Sequence, residues 1–340
     1  MSSKIYSWTV IGAGCAGIVA IAKLLDEKIL PNDILWIDED FNGGEINSKW
    51  YEVPGNTIVE TLNDSFYSFK SINYKELKSD LKNLNPNDVC SLGYLADALK
   101  DASKELLSSG LNTYKSKAIS ICDKSGIIEI ETLNKTFKTK KLILATGAKQ
   151  AQQNTNKKSL NLEIALCPTK LAQENLQNKK IGVIGSSHSA ILVLKNLIDA
   201  NAENIVNFYR SFTKYAMPYN DKIIYDNTGL KGLAAAWAKE NLETSKHIKR
   251  VHIQDPSYSK EFSECDLLIH AMGFESRNIP INGVTNYKHN PYHGTIAPNI
   301  YGIGIAYPEI ACDDFGYTEQ NVGMLKFVKY INKVFPIWQM

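Results

Sequence analysis

Trp8-Thr9-Val10-Ile11-Gly12-Ala13-Gly14-Cys15-Ala16-Gly17 is the stretch from which the rest of the chain can be read. Trp8 to Ile11 is a short apolar run that reads as a buried strand, and Gly-x-Gly-x-x-Gly then opens the apolar segment Ile18 to Leu25. The order is strand, tight turn, helix. Gly12 lets the chain turn, Gly14 lets a pyrophosphate approach the backbone, and Gly17 lets the helix lie close to the strand. At the helix start, Ala13, Cys15 and Ala16 supply free N–H groups to phosphate oxygens. A second apolar run, Asp33-Ile34-Leu35-Trp36-Ile37, ends at Asp38, 21 positions beyond Gly17, with Glu39 beside it. A carboxylate there takes the ribose hydroxyls of an adenosine. The competing reading is a glycine-rich turn with no ligand, and a βαβ unit with an acid at the expected offset argues against it.

A length of 340 residues suggests two domains, and 44% hydrophobic residues suffice for sizeable cores. Lys and Arg number 38 against 36 acids, so charge gives no reason to propose nucleic acid or a charged membrane as partner. The six cysteines stand at 15, 90, 122, 167, 265 and 312, and the nearest pair, Cys90 and Cys122, is 32 positions apart. That spacing excludes a Cys-x-x-Cys redox pair or a zinc knuckle, so no metal site is expected, and it suits reduced thiols in the cytoplasm. Trp8 to Leu25 has the length of a signal-peptide core, but only Lys4 precedes it and glycines interrupt it. No purely apolar run of about 18 residues stands elsewhere, so a soluble cytoplasmic protein is expected.

Beyond Asp38 the chain turns at Phe41-Asn42-Gly43-Gly44, then runs through Trp50 to Thr57, where Pro54 and Gly55 predict a loop. In a dinucleotide-binding domain that segment lies beyond the carboxyl ends of the strands, so Gly44, Asn56 and Thr57 either line the reactive end of a cofactor or form a polar surface loop. Leu92 to Leu107 has helical apolar spacing. Thr113–Ile121, Ile127–Leu133 and Thr136–Thr139 read as a small antiparallel meander, and Lys141 to Gly147 as a buried strand closing on the turn Ala145-Thr146-Gly147.

Lys180-Ile181-Gly182-Val183-Ile184-Gly185-Ser186-Ser187-His188-Ser189-Ala190 repeats the opening plan. The strand that follows, Asn204 to Tyr209, ends at Arg210, which takes the place Asp38 holds in the first unit. An arginine there either accepts a 2′-phosphate, favouring NADPH over NADH, or is an ordinary surface residue. Ser187 replaces the second glycine and narrows the approach, although its hydroxyl can donate. His188 reads either as a phosphate neighbour or as a loop histidine kept neutral by a helix N-terminus. Asp226 and Lys231 read as a paired surface loop. Asp266 to Phe274 repeats the strand-to-glycine ending at Gly273, and a helix is predicted from Glu319 to about Lys333.

These pieces in this order resemble the flavoproteins with two dinucleotide-binding domains, a superfamily of thioredoxin reductase-like enzymes, disulfide reductases and flavin-containing monooxygenases. The resemblance rests on Gly12-x-Gly14-x-x-Gly17 with Asp38, Ala145-Thr146-Gly147, Gly185-x-x-x-Ser189-Ala190 with Arg210, and Ala271-Met272-Gly273-Phe274. It implies an α/β fold of two Rossmann-like domains, the second inserted in the first, each with a small antiparallel meander. Residues 1–160 and 278–340 would hold FAD, and residues 161–277 would hold NADP(H). Ala118 would meet the adenine through its backbone, and the Glu319 helix would point its N-terminus at the flavin pyrimidine oxygen.

Three departures stand out. The cysteine pair of the disulfide reductases is absent. Ala165-Leu166-Cys167-Pro168-Thr169-Lys170 stands where the monooxygenases carry Phe-x-Gly-x-x-x-His. The C-terminal motif reads Gly304-Ile305 where relatives place Gly-Asp, so either FAD binds loosely, or Asp313 or Asp314 replaces the missing ribityl acceptor, or water bridges to it. The implied activity is hydride transfer from NADPH through the flavin to a small molecule or oxygen, in a chain compatible with a homodimer. The alternative is a flavin-binding sensor or interaction module with a degenerate nicotinamide site.

Overall fold

The structure is a computed structural model that describes residues 4–220, 222–313 and 315–340. Two parallel sheets organise it. In the first, the strand Ile5–Ile11 lies between Ile34–Asp38 and Thr136–Leu144 and runs parallel to both. Asn112–Lys115 extends one edge beside Ile34–Asp38, and Ile300–Gly302 extends the other beside Thr136–Leu144. The central strand is buried on both faces, as its near-continuous apolar run requires. One face packs on three helices, Cys15–Asp26, Leu92–Ser108 and Met324–Gln339, through residues such as Val10, Ile18, Leu99 and Phe335. The other is covered by the meander, where Ile128 and Ile130 meet Ile37, Leu142 and Leu144.

The second sheet has five parallel strands in the order Ser159–Leu160, Leu267–His270, Lys180–Ile184, Asn204–Tyr209 and Ile248–His252. All of it lies between the two parts of the first sheet in sequence. The chain crosses between the units on an antiparallel pair, Ala148–Gln150 with Phe274–Ser276. The second sheet begins at Ser159, two residues ahead of the boundary expected at 161. No antiparallel meander joins it among the described residues. A separate hairpin, Met217–Tyr219 with Lys222–Ile224, takes the place of the second meander.

Several expected elements are redrawn. Thr113 to Ile121 is not one strand, because the chain breaks at Ser116 and Lys117 between a parallel edge strand and the antiparallel Ala118–Lys124. The third meander strand and the Lys141 strand are one strand, Thr136–Leu144, so a single element serves both the meander and the parallel core. Asn56 and Thr57 lie in a strand, Pro54–Ile58, paired antiparallel with Val89–Ser91. Proline is tolerated there because it opens the strand.

The last helix begins at Met324, after Gly323 at φ 141°, and reaches Gln339. It outruns Lys333 because Val334, Phe335 and Trp338 continue its buried face, and the Trp338 Nε1–H donates to the His293 carbonyl at 2.7 Å. Glu319 therefore does not open a helix. It stands in the hairpin strand Thr318–Asn321, paired with Glu309–Cys312.

Candidate functional site

The three glycines of the first turn serve different ends. A β-carbon on Gly12 would stand 2.2 Å from the Ala145 carbonyl oxygen, and one on Gly17 would stand 1.9 Å from that of Gly12. Both positions are closed by the protein itself. A β-carbon on Gly14 would meet no atom within 4 Å, so nothing in the chain requires glycine there. The open space lies at the N-terminus of the Cys15–Asp26 helix, where an anion is favoured. Gly44 packs against the turn, its would-be β-carbon 2.9 Å from the Gly14 Cα. Gly304, at φ 93°, brings the C-terminal segment to the same place, since a β-carbon on it would lie 2.5 Å from the Ala16 methyl.

Asp38 is tied into this turn. One carboxylate oxygen accepts the Ala13 N–H at 2.8 Å, and the other accepts the N–H groups of Asp40 and Phe41 at 2.9 and 2.8 Å. Its neighbour Glu39 is exposed. Trp36 Nε1–H holds the Gly12 carbonyl at 2.8 Å. Thr146 Oγ1 is buried with no hydrogen-bond partner, and Gly147 beside it has an open side. An open glycine at a helix start, an orphaned hydroxyl and glycine contacts converging from three segments fit a bound dinucleotide. Burial pushes the Cys15 thiol up to about 12, which disfavours its thiolate.

The second turn repeats the construction. A β-carbon on Gly185 would lie 2.2 Å from the Ala271 carbonyl oxygen, the same approach that Gly12 makes to Ala145. Ser187 stands at the N-cap position of the helix His188–Asp199 with no side-chain capping bond and is exposed, and Ser186 and Ser189 beside it are half-buried. Asn207 matches Trp36: its buried Nδ2–H donates to the carbonyls of Gly185 at 2.8 Å and Val183 at 3.2 Å. A lone Asn in an apolar strand carries no sequence signal. Arg210 is exposed, and its guanidinium has no ion pair or hydrogen-bond partner among the described residues. Gly273 has an open side like Gly147.

His188 opens the helix rather than lying in a loop. Its Nε2 accepts the Lys231 N–H at 2.9 Å, which leaves the ring proton on Nδ1. Burial first, and then the Lys231 charge, push its pKa down to about 4, so the ring is neutral. Asp226 and Lys231 are paired at 2.7 Å, as expected, but the pair is half-buried and Lys326 of the last helix joins it.

Other candidates are placed less centrally. Ala118 is buried at the start of its strand. Asn56 is exposed, with its Cα 3.9 Å from where a β-carbon on Gly232 would stand, so it lies on the seam between the units. The Glu319 carboxylate accepts the N–H groups of Asn227 and Thr228, both at 3.1 Å. Asp313 accepts the N–H groups of Phe315 and Tyr317 and so serves its own hairpin turn, while Asp314 lies outside the described residues. A cleft of about 450 Å³ starts at Glu45, beside Gly44, and runs past Trp50 and Gln150 to Asn161 and Glu163 of the second unit.

No protein-family model matches the chain. A monooxygenase, AgnR1, from Paecilomyces divaricatus is 28% identical over a 385-position alignment that covers 97% of each protein. Among solved structures, the ornithine N-hydroxylase of Kutzneria sp. 744 superposes with a TM-score of 0.67 at 9% identity, covering 99% of both chains. The chain shares the fold of such two-dinucleotide-binding-domain flavoproteins. A flavin monooxygenase variant from Stenotrophomonas maltophilia gives 0.66 at 11% identity over 99% of both chains. The bacillithiol disulfide reductase of Staphylococcus aureus gives 0.61 at 13%, covering 99% of this chain and 98% of its own. The two-domain flavoprotein fold thus spans the chain from end to end. No helix among the described residues is long and apolar enough to cross a membrane.

Proposed function

We propose that the protein is an FAD-dependent oxidoreductase that draws hydride from NADPH and passes the electrons to oxygen, inserting one oxygen atom into a small organic substrate. In that reaction the substrate gains one atom of O2 and the other leaves as water, with NADPH and a proton supplying the reducing equivalents. The carrying observation is the pair of glycine turns built on one backbone contact, Gly12 on Ala145 and Gly185 on Ala271, each opening a helix. The full-length similarity to a monooxygenase supports oxygen as the acceptor.

Bound FAD supplies the redox centre. The protein's work is to hold and orient. The Gly14 turn receives the FAD pyrophosphate on the N–H groups at the helix start, with Asp38 fixing the turn through Ala13. Thr146 offers its unpartnered hydroxyl to the flavin side of the cofactor. The second turn, Gly185 to Ser189, receives the NADPH pyrophosphate, and the free Arg210 guanidinium takes the 2′-phosphate. His188, kept neutral chiefly by burial, leaves that anion site without an added charge. The cysteines are all free thiols and far apart in sequence, which sets this chain apart from the dithiol branch.

The test is anaerobic addition of NADPH to the FAD-loaded protein. Loss of the visible flavin absorption band is expected, followed by its return on admitting oxygen. A spectrum unchanged by both NADPH and NADH would leave a flavin-binding sensor or interaction module as the better reading.

A further inference from the structure

The loop Asp226-Asn227-Thr228 belongs to the second unit in sequence, yet most of its polar bonds go to the first. Asn227 is its centre. Its Oδ1 accepts Lys326 Nζ at 2.6 Å and the Val322 N–H at 3.4 Å, and its Nδ2 donates to Asn321 Oδ1 at 3.2 Å. Its backbone N–H donates to Glu319, which also takes the N–H and the hydroxyl of Thr228. Asp226 bonds Lys326 on one side and Lys231 on the other. Lys231 in turn gives its N–H to His188, the first residue of the second turn's helix. A continuous chain of hydrogen bonds therefore runs from the start of the His188–Asp199 helix to the start of the Met324–Gln339 helix.

Such a network differs from a surface ion pair. Both the oxygen and the nitrogen of the Asn227 amide are engaged, and the charge-assisted bonds of Lys326 to Asn227 and Asp226 strengthen the network. Apart from Asp226–Lys231 and Lys231–His188, each bond crosses between units, so the network resists sliding of one unit over the other.

We propose that the Asp226–Thr228 loop is a positioning clamp, with Asn227 and Asp226 setting the distance between the nicotinamide nucleotide and the flavin. The proposal rests on the functional reading above, which puts the nucleotide at the His188 helix and FAD on the first unit, in whose core the last helix packs. Neither residue touches a reacting atom. Their effect is on the register of the units, and hydride transfer is steeply sensitive to register, since a misplacement of about 1 Å costs up to a hundredfold.

The test uses FAD-loaded Asn227→Ala and Asp226→Asn. Hydrogen–deuterium exchange without nucleotide is expected to rise together in residues 225–231 and 319–326. The limiting rate of flavin reduction by saturating NADPH is expected to fall about ten- to a hundredfold, with FAD content and the NADP+ dissociation constant within about twofold of the parent. A merely structural role would not separate rate from affinity in this way. Parental reduction rates in both variants, or weaker NADP+ binding at an unchanged limiting rate, would overturn the clamp while leaving the oxidoreductase reading intact. A parent flavin that neither NADPH nor NADH reduces would overturn that reading, and the positioning role with it.

Discussion

The Asp38 carboxylate accepts the Ala13 N–H at 2.8 Å, binding the end of the second strand to the middle of the first glycine turn. An acid at this position is expected on the adenosine ribose, and here it also has a structural duty. Its two oxygens hold three backbone N–H groups. Asp38→Ala should cost about 1.5–3 kcal/mol of stability, as loss of hydrogen bonds to a charged group does. It should also loosen FAD. Denaturant titration of the FAD-free protein separates the two effects: an unchanged midpoint would mean the turn holds itself.

Gly14→Val tests the open approach at the helix start. Its would-be β-carbon meets nothing within 4 Å, so the variant should fold with the parental melting temperature as FAD-free protein. It should purify colourless, because the side chain fills the space meant for the pyrophosphate. Gly12→Val, closed off by Ala145, should fail to fold. A yellow Gly14→Val protein with stoichiometric FAD would remove the cofactor from this turn.

Arg210 governs the choice of nicotinamide. Its exposed, unpaired guanidinium is free to meet a 2′-phosphate. Arg210→Ala should raise the NADPH dissociation constant about ten- to a hundredfold, equivalent to about 1.5–3 kcal/mol for a charge-assisted contact. NADH should be nearly unaffected. Equal losses for both nucleotides would assign the arginine to the fold.

His188 predicts an acid limb in the stability profile. Its pKa is pushed from 6.5 to about 4 in the folded protein, so between those values the unfolded chain binds a proton that the folded chain refuses. Its contribution is fully present above pH 6.5 and is lost as pH falls through 4, by about 3 kcal/mol in all. His188→Gln, which keeps an acceptor for the Lys231 N–H, should flatten that part of the profile. Identical profiles for parent and variant would show that the ring takes up its proton without cost.

The glycine turns were legible because their constraints are local. Gly12, Gly17 and Gly185 each face a carbonyl so closely that no side chain fits, and that requirement is written at the residue itself. The segment of Asn56 and Thr57 reads as a loop because its strand exists only by pairing with Val89–Ser91, more than thirty positions away. Pro54 and Gly55 signal a loop to any local reading. Glu319 reads as a helix start for a similar reason: its partners Asn227 and Thr228 lie in another unit, and no period in the sequence reports them. Asn207 left no trace at all, since one amide in an apolar strand is indistinguishable from a tolerated defect until its two carbonyl partners are seen.

The edge of the first sheet is completed by Ile300–Gly302 against Thr136–Leu144, and the last helix covers the same sheet. During synthesis those pieces emerge only after the whole of the second sheet, which is contiguous in sequence and can close on the ribosome. The nascent first unit meanwhile exposes the hydrogen-bonding edge of Leu142 to Leu144, a run of apolar residues open to pairing with any other chain. Gly304 reaches Ala16 only when this edge is sealed. Truncation between His270 and Ile300 should therefore yield a chain that retains a folded second unit yet aggregates through its first.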